Sequence, residues 1–212
     1  MRTIAALSLC LLGAGGANAQ QSSGVRLYEP LSPTERWEWF ATSTAGPVTL
    51  LGGLFSSGLL TLRNQPPEYG PHWEGYAKRN GLRLTGNAAA NGLEAGIGAY
   101  LGEDPRYLRV PGKPFGARIA NALRMTVMAY DRNGREVPNY ARFIAVPAGS
   151  ALSNAWQPDS QVTASATFSR VGLGFLGQAI SNTFTEFWPD VRKHIGHRST
   201  GGSLTVSPDS GR

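Results

Sequence analysis

The chain has 212 residues, 41% hydrophobic and 16% charged, with 27 Gly, 14 Pro, one Cys and a formal charge of +6. So much apolar content with so little charge excludes an intrinsically disordered chain, and no Gly-X-Y period suggests a fibre. A single cysteine excludes a disulfide framework and a cysteine-based zinc site, and the length suits one domain rather than two.

Residues 1–19 read as a secretory signal peptide. Arg2 supplies the positive start, Ile4 to Leu12 the apolar stretch, and Ala17-Asn18-Ala19 the small-x-small cleavage site, so the mature chain is expected to begin at Gln20. The apolar stretch is too short to cross a hydrocarbon core of roughly 30 Å. Cys10 lies inside it and is expected to leave with it. Loss of Arg2 leaves 19 basic against 14 acidic residues, a charge of +5. Lys78, Lys113 and Lys193 are the only lysines. An Arg-rich exported surface suits anionic lipid heads or envelope polysaccharide, although a codon bias with a solvated surface explains it equally simply. No basic run points to nucleic acid.

A polar linker over 20–31 precedes a single helical domain over 32–198, and a Gly/Ser/Thr-rich tail over 199–212 is expected to be disordered. Ser32-Pro33-Thr34-Glu35 is a capping box with Pro at the first helical position, and it opens a helix carrying Trp37, Trp39 and Phe40. From Phe40 to Leu62 there is no charge, and the run is broken by Gly46-Pro47. Leu51, Leu54, Phe55, Leu59 and Leu62 form a helical apolar stripe, with Gly52, Gly53, Ser56 and Ser57 on the other face. Such a helix is buried or touches a membrane. Pro71 is expected to open a further helix with Trp73, Tyr76 and Ala77. A second uncharged run, Thr85 to Gly102, is interrupted only by Glu94. Its small stripe of Ala88, Gly92 and Gly96 makes it a natural partner for the first run or for lipid.

Asp104-Pro105 ends that helix, and Pro111 to Pro114 form a loop. Ile119, Leu123, Val127 and Tyr130 stripe a helix that also bears Arg118 and Arg124. Asp131-Arg132-Asn133-Gly134 is a turn, and its flanks, Met125 to Tyr130 and Arg135 to Tyr140, are open to a short hairpin. Asn139 to Asn154 reads as a helix kinked or split by Pro147. Leu173, Leu176, Ile180, Phe184 and Phe187 mark a last helix, which Trp188-Pro189 is expected to interrupt. The fold class is therefore all-α, a Gly-rich helical bundle with at most one short β-hairpin.

Gly172-Leu173-Gly174-Phe175-Leu176-Gly177 matches the dinucleotide fingerprint as a string, but its mechanism needs a strand before it and an acidic residue after a second strand. Close packing of a helix is the better reading. His194-Ile195-Gly196-His197 spells a nucleotide-binding motif of aminoacyl-tRNA synthetases by coincidence. With Arg192, Lys193 and Arg198 it makes a basic helix end suited to anions. Candidates for catalysis are Glu94, Asp104 and His72, together with Glu74. Of these only Glu94 has surroundings apolar enough to raise its pKa, and Arg106 or Arg109 lie near enough to pair with it. No nucleophile elbow, zinc motif or cofactor motif is present. Trp37, Trp39, Trp73 and Tyr76 border the uncharged runs, as Trp and Tyr do at a bilayer interface and also in ordinary cores.

The segments His72-Trp73-Glu74-Gly75-Tyr76, Glu103-Asp104-Pro105-Arg106-Tyr107, Asn139-Tyr140, Ser153-Asn154-Ala155-Trp156-Gln157-Pro158-Asp159 and Glu186-Phe187-Trp188-Pro189-Asp190 resemble those of an uncharacterised family of exported bacterial proteins. The resemblance covers roughly residues 69–195. It implies an exported helical protein and carries over no catalytic residue.

The sequence is thus expected to encode a non-enzymatic, exported helical protein of the cell envelope, periplasmic or outer-membrane-associated. Its expected contacts are membrane lipid or an envelope protein, through Trp37, Trp39, Trp73, Tyr76, Arg192 and Lys193. The alternatives are a periplasmic hydrolase using Glu94 or Asp104 with His72, and a soluble small-ligand-binding module.

Overall fold

The computed structural model describes residues 28–198, with side chains as far as Lys193. The signal peptide, most of the linker, the tail over 199–212 and the side chains of His194 and His197 lie outside the described residues. Within them the chain is all-α apart from one two-stranded antiparallel sheet.

α1 (Pro33–Ala45) and α2 (Pro47–Leu62) form one rod broken at Gly46. The capping box at its start is complete: the Ser32 amide donates to Glu35 Oε2 at 2.8 Å and the Glu35 amide to Ser32 Oγ at 3.2 Å. A Cβ on Gly46 would stand 2.2 Å from the Thr42 carbonyl oxygen, so the break has room for glycine alone. The rod runs antiparallel to α3 (Trp73–Leu101), with α1 along its C-terminal half and α2 along its N-terminal half. α3 is one helix of 29 residues that joins the helix expected at Pro71 to the second uncharged run; it starts at Trp73 behind His72 and passes through Gly81, since a glycine costs a helix only about 1 kcal/mol.

α4 (Phe115–Val127) leads directly into the hairpin β1 (Met128–Tyr130) and β2 (Glu136–Pro138), paired Met128 with Pro138, Ala129 with Val137 and Tyr130 with Glu136. Asp131 Oδ1 closes the turn by accepting the amides of Asn133 and Arg135 at 2.8 and 2.9 Å. α5 (Tyr140–Leu152) is capped by Asn139 and contains Pro147, and α6 (Ala164–Arg198) closes the molecule. α6 passes through Pro189, which corrects the expected interruption at Trp188-Pro189. The carbonyl that Pro189 leaves without its helical donor belongs to Thr185, which is exposed. α5 packs on α3 and on α6, and α4 packs on the far part of α6.

The helices meet through small residues. A Cβ on Gly149 of α5 would lie 2.8 Å from the Ala90 Cβ of α3, and one on Gly98 would lie 3.6 Å from the Ala141 Cβ. α2 touches α3 with its small face, Gly53 and Ser57 being buried while Leu51, Leu54, Phe55 and Leu59 are exposed, but it does so against Tyr76, Asn80 and Arg83, ahead of the second uncharged run. The expected pairing of the two runs is met at the start of the first, where Phe40 lies 3.7 Å from a Cβ on Gly92 and Thr44 accepts from Asn91. The stripe assigned to α3 is placed differently, because Gly92 and Gly96 are exposed and the buried glycines are Gly75 and Gly98. Of Gly172, Gly174 and Gly177 in α6, a Cβ on Gly174 alone would meet a close neighbour, Val146, and Gly172 and Gly177 face open space.

Candidate functional site

The interior of the molecule is polar. Its buried hydrophobic residues are small or flexible, namely Ala122, Met125, Ala129, Ala141 and Ala145, whereas the largest fully buried side chains are Arg142, Glu186, Asn139, Asn182, Asp104 and Ser57. An unpaired charge in such a place is expensive, so each must have partners. Four clusters supply them.

The first joins α3 to α5. Glu94 and Arg142 are 4% and 2% exposed, and Arg142 donates to Glu94 Oε1 through Nη2 at 2.7 Å and Nε at 3.0 Å. Its Nη1 donates to the carbonyls of Met125 and Thr126 at 3.1 and 3.0 Å, satisfying the last turn of α4. Arg142 is thus the partner of Glu94, in place of the Arg106 or Arg109 that sequence proximity suggests. The 48 residues between them put the pair out of reach of local pattern reading.

The second lies at the C-terminal end of α3. Asp104 takes the Arg106 guanidinium side-on, at 2.7 Å from Nη2 and 3.0 Å from Nε, and accepts the Tyr28 hydroxyl at 3.1 Å. Arg106 Nη1 reaches Glu35 at 3.0 Å. The hydrogen bond that the Arg106 guanidinium donates to Asp104 raises its pKa, while burial, and then the Asp104 charge, pushes the Tyr28 phenol up to about 12. Glu103 Oε2 accepts the Ala141 amide at 2.9 Å in the first turn of α5, where a carboxylate suits the helix dipole.

The third is built on Glu186, which is fully buried. Its carboxylate accepts from Arg118 Nε at 2.6 Å, the Tyr107 hydroxyl at 2.8 Å and the Val110 amide at 3.2 Å, and its carbonyl accepts from Arg109 and Arg118. Arg118 also pairs with Asp190 at 2.7 Å and lies over the Phe187 ring. Burial above all pushes the Tyr107 phenol up to about 12. The fourth holds its charge with neutral acceptors, three carbonyls and the Thr61 hydroxyl. Arg79, 5% exposed, donates to the backbone oxygens of Gln65, Gly70 and Pro66 at 2.8 Å each, which holds the loop ahead of α3.

Within these clusters Glu103–Tyr107 contains the Asp104 clamp, Asn139-Tyr140 the cap of α5, Glu186–Asp190 the Glu186 hub, and His72–Tyr76 supplies Gly75, packed under the carbonyls of Tyr69 and Gly70.

The catalytic candidates are not gathered into one cleft. His72 and Glu74 are exposed at the start of α3, and 22 residues of helix, roughly 33 Å of rise, separate His72 from Glu94. Asp104 is locked to Arg106. Among the described residues no group of three or more His, Cys, Asp or Glu is placed to hold a metal. The Gly172–Gly177 string lies inside α6, with no strand before it.

The exterior is the complement of this interior. Phe55, Leu62, Trp73, Tyr100, Phe115, Phe168 and Leu173 are all more than 60% exposed. The stripe Leu173, Leu176, Ile180 and Phe184 on α6 faces outward, as do Leu123 and Val127 on α4 and Phe143 and Ile144 on α5. Of the expected contact residues, Trp37 and Trp73 are exposed, Trp39 and Tyr76 are half-buried, and Arg192 and Lys193 are exposed on the last described turns of α6. No protein-family model, curated protein or solved structure matches the chain.

Proposed function

We propose that this is a non-enzymatic, exported helical protein of the cell envelope that is embedded in a membrane through the outward faces of α2, α3, α5 and α6. One observation carries the reading: Met125 is the only large apolar side chain that is buried among the described residues, many large apolar side chains are exposed, and the largest buried side chains are polar or charged. In water that arrangement forgoes the main driving force of folding. In hydrocarbon it is the favourable one, because association there rests on close packing of small residues and on interhelical hydrogen bonds.

Three further features agree. The rod Pro33–Leu62 is long and apolar enough to cross a membrane, and only 22% of its most apolar window is buried, unlike the core helix of a soluble protein. Its uncharged part, 39–62, rises roughly 36 Å, enough for a hydrocarbon core of about 30 Å, whereas that of α6, 171–185, rises roughly 22 Å and reaches only part of the way across. Exposed aromatics sit at both ends of α3, Trp73 at its start and Tyr100 at its finish, with Trp37 beside the latter, as in an aromatic belt. Export rests on the signal-like residues 1–19.

Fractionation tests the reading. The mature protein, with Gln20 as its N-terminus, is expected to stay in the membrane pellet through an alkaline carbonate wash and to leave it only with detergent. A mature protein that is soluble and monodisperse without detergent overturns it.

A further inference from the structure

A cleft of about 340 Å³ opens between the residues ahead of α1 and the C-terminal end of α3. Tyr28, Leu31 and Pro33 form an apolar wall, and two guanidiniums enter from distant parts of the chain: Arg36 from α1 and Arg132 from the hairpin turn. Arg132 can lie there because Gly102, at φ +78°, ends α3 without a side chain. A Cβ at that position would stand 2.6 Å from Arg132 Nε.

Neither guanidinium is held by a carboxylate, although the Asp104 charge is felt at Arg36. Arg36 donates Nη2 to the Glu103 carbonyl at 2.9 Å and Nη1 to the Ala95 carbonyl at 3.5 Å, and Arg132 donates Nη2 to the Ala99 carbonyl at 3.1 Å. Among the described residues, neither makes an ion pair. The contrast with Arg106, two residues from Asp104, is direct, since that guanidinium holds both Asp104 and Glu35. The carboxylates bordering the cleft turn to other donors, Asp104 to Arg106 and Tyr28, and Glu103 to the Ala141 amide, which leaves the Glu103 charge in place, and neither carboxylate pairs with Arg36 or Arg132. A carbonyl accepts a hydrogen bond but carries no net charge, and a guanidinium has five N–H donors. Two positive charges with unused donors therefore face one small, half-open, partly apolar space.

We propose that this cleft binds an oxyanion, a carboxylate or phosphate bridged between Arg36 and Arg132, with the body of the ligand against Tyr28, Leu31 and Pro33. Arg is the side chain suited to this, because its planar fork matches both groups. The oxyanion has two sources, a free small molecule or the headgroup of a lipid. The cleft is defined without reference to the membrane, so the proposal stands or fails separately from the embedding of the helices.

Calorimetric titration of the full mature chain in a neutral detergent, with inorganic phosphate, acetate and a soluble short-chain phosphatidylglycerol as probes, tests it. The expected result is saturable one-site binding of at least one probe, weakened about tenfold or more in both Arg132→Gln and Arg36→Gln and unchanged in Lys113→Gln, which lies outside the cleft. Phosphate or acetate binding alone as well as the lipid does identifies a free oxyanion ligand, and binding of the lipid alone identifies a headgroup. Arg132 is exposed and makes one hydrogen bond, so Arg132→Gln decides the matter if Arg36→Gln fails to fold. Absence of saturable binding by all three probes, or binding that survives in a folded variant of either arginine, overturns the proposal.

Discussion

At the scale of single residues the protein depends on buried charge, and the two partners of a pair are not equivalent to their sum. Arg142→Met leaves the Glu94 carboxylate buried without its cation and frees the carbonyls of Met125 and Thr126. Removing one partner of a buried pair costs about 3–5 kcal/mol, whereas replacing both by apolar residues of similar volume is often neutral. Arg142→Met is therefore expected to melt far below the parent in detergent, and Glu94→Leu with Arg142→Met to recover most of the loss. A double variant no more stable than the single would mean that Arg142 acts through the α4 carbonyls alone. The tyrosines add a pH signature. Tyr28 and Tyr107 are pushed up to about 12, above the ordinary value of 10.0. The stability they contribute is fully present below pH 10 and is lost as the pH rises towards 12. Phenolate absorbance is expected to show a late-ionising class that shrinks in Tyr28→Phe and again in Tyr107→Phe. Local devices at this scale were legible, such as the capping box at Ser32 and the Asp131 turn, because donor and acceptor lie within four residues. The pairs were not: Glu94 meets Arg142 and Glu186 meets Tyr107 only through helix packing, and no spacing rule reaches 48 or 79 residues.

At the scale of elements, periodicity located the helices and left their facing open. The stripes on α2 and α6 are regular enough to assign helix, but a regular stripe looks the same whether it faces a core or a lipid, and here both point outward. The glycines divide in the same hidden way. Gly149 lies in the α3–α5 seam against Ala90, while Gly81 and Gly96 have no neighbour within 4 Å of an added Cβ. Gly149→Leu is accordingly expected to destabilise by about 1–3 kcal/mol or more through overpacking. Gly81→Ala and Gly96→Ala are each expected to stabilise by about 0.5–1 kcal/mol, since alanine relieves the entropic cost of glycine in a helix. Thermal melting of the three variants in one detergent decides this, and a loss of stability in Gly81→Ala would mean that α3 has a close partner on its open side. Pro147 and Pro189 teach the same lesson about local rules, because both sit within helices that tertiary packing keeps continuous.

At the scale of the molecule, the average hides the arrangement. A mean hydropathy of −0.21 marks no membrane protein. Some of the charges that lower it are drawn inward, on Arg79, Glu94, Glu103, Asp104, Arg142 and Glu186, and the surface over the uncharged stretches is apolar. Embedding in lipid makes a demand that a soluble fold does not. A lysine in place of Phe55 or Leu173, exposed side chains within the uncharged stretches of α2 and α6, would put a charge into hydrocarbon at about 2.5–3.5 kcal/mol each near the centre. In water the same exposed substitution would change stability by no more than about 0.5 kcal/mol and would improve solubility. Phe55→Lys with Leu173→Lys is therefore expected to shift the protein from the membrane pellet towards degradation or the soluble fraction. Lys113→Glu, on an exposed loop, is expected to leave the distribution unchanged. A double lysine variant that fractionates and melts as the parent does would assign the apolar faces to a surface in water, and the polar interior would then need an origin other than the membrane.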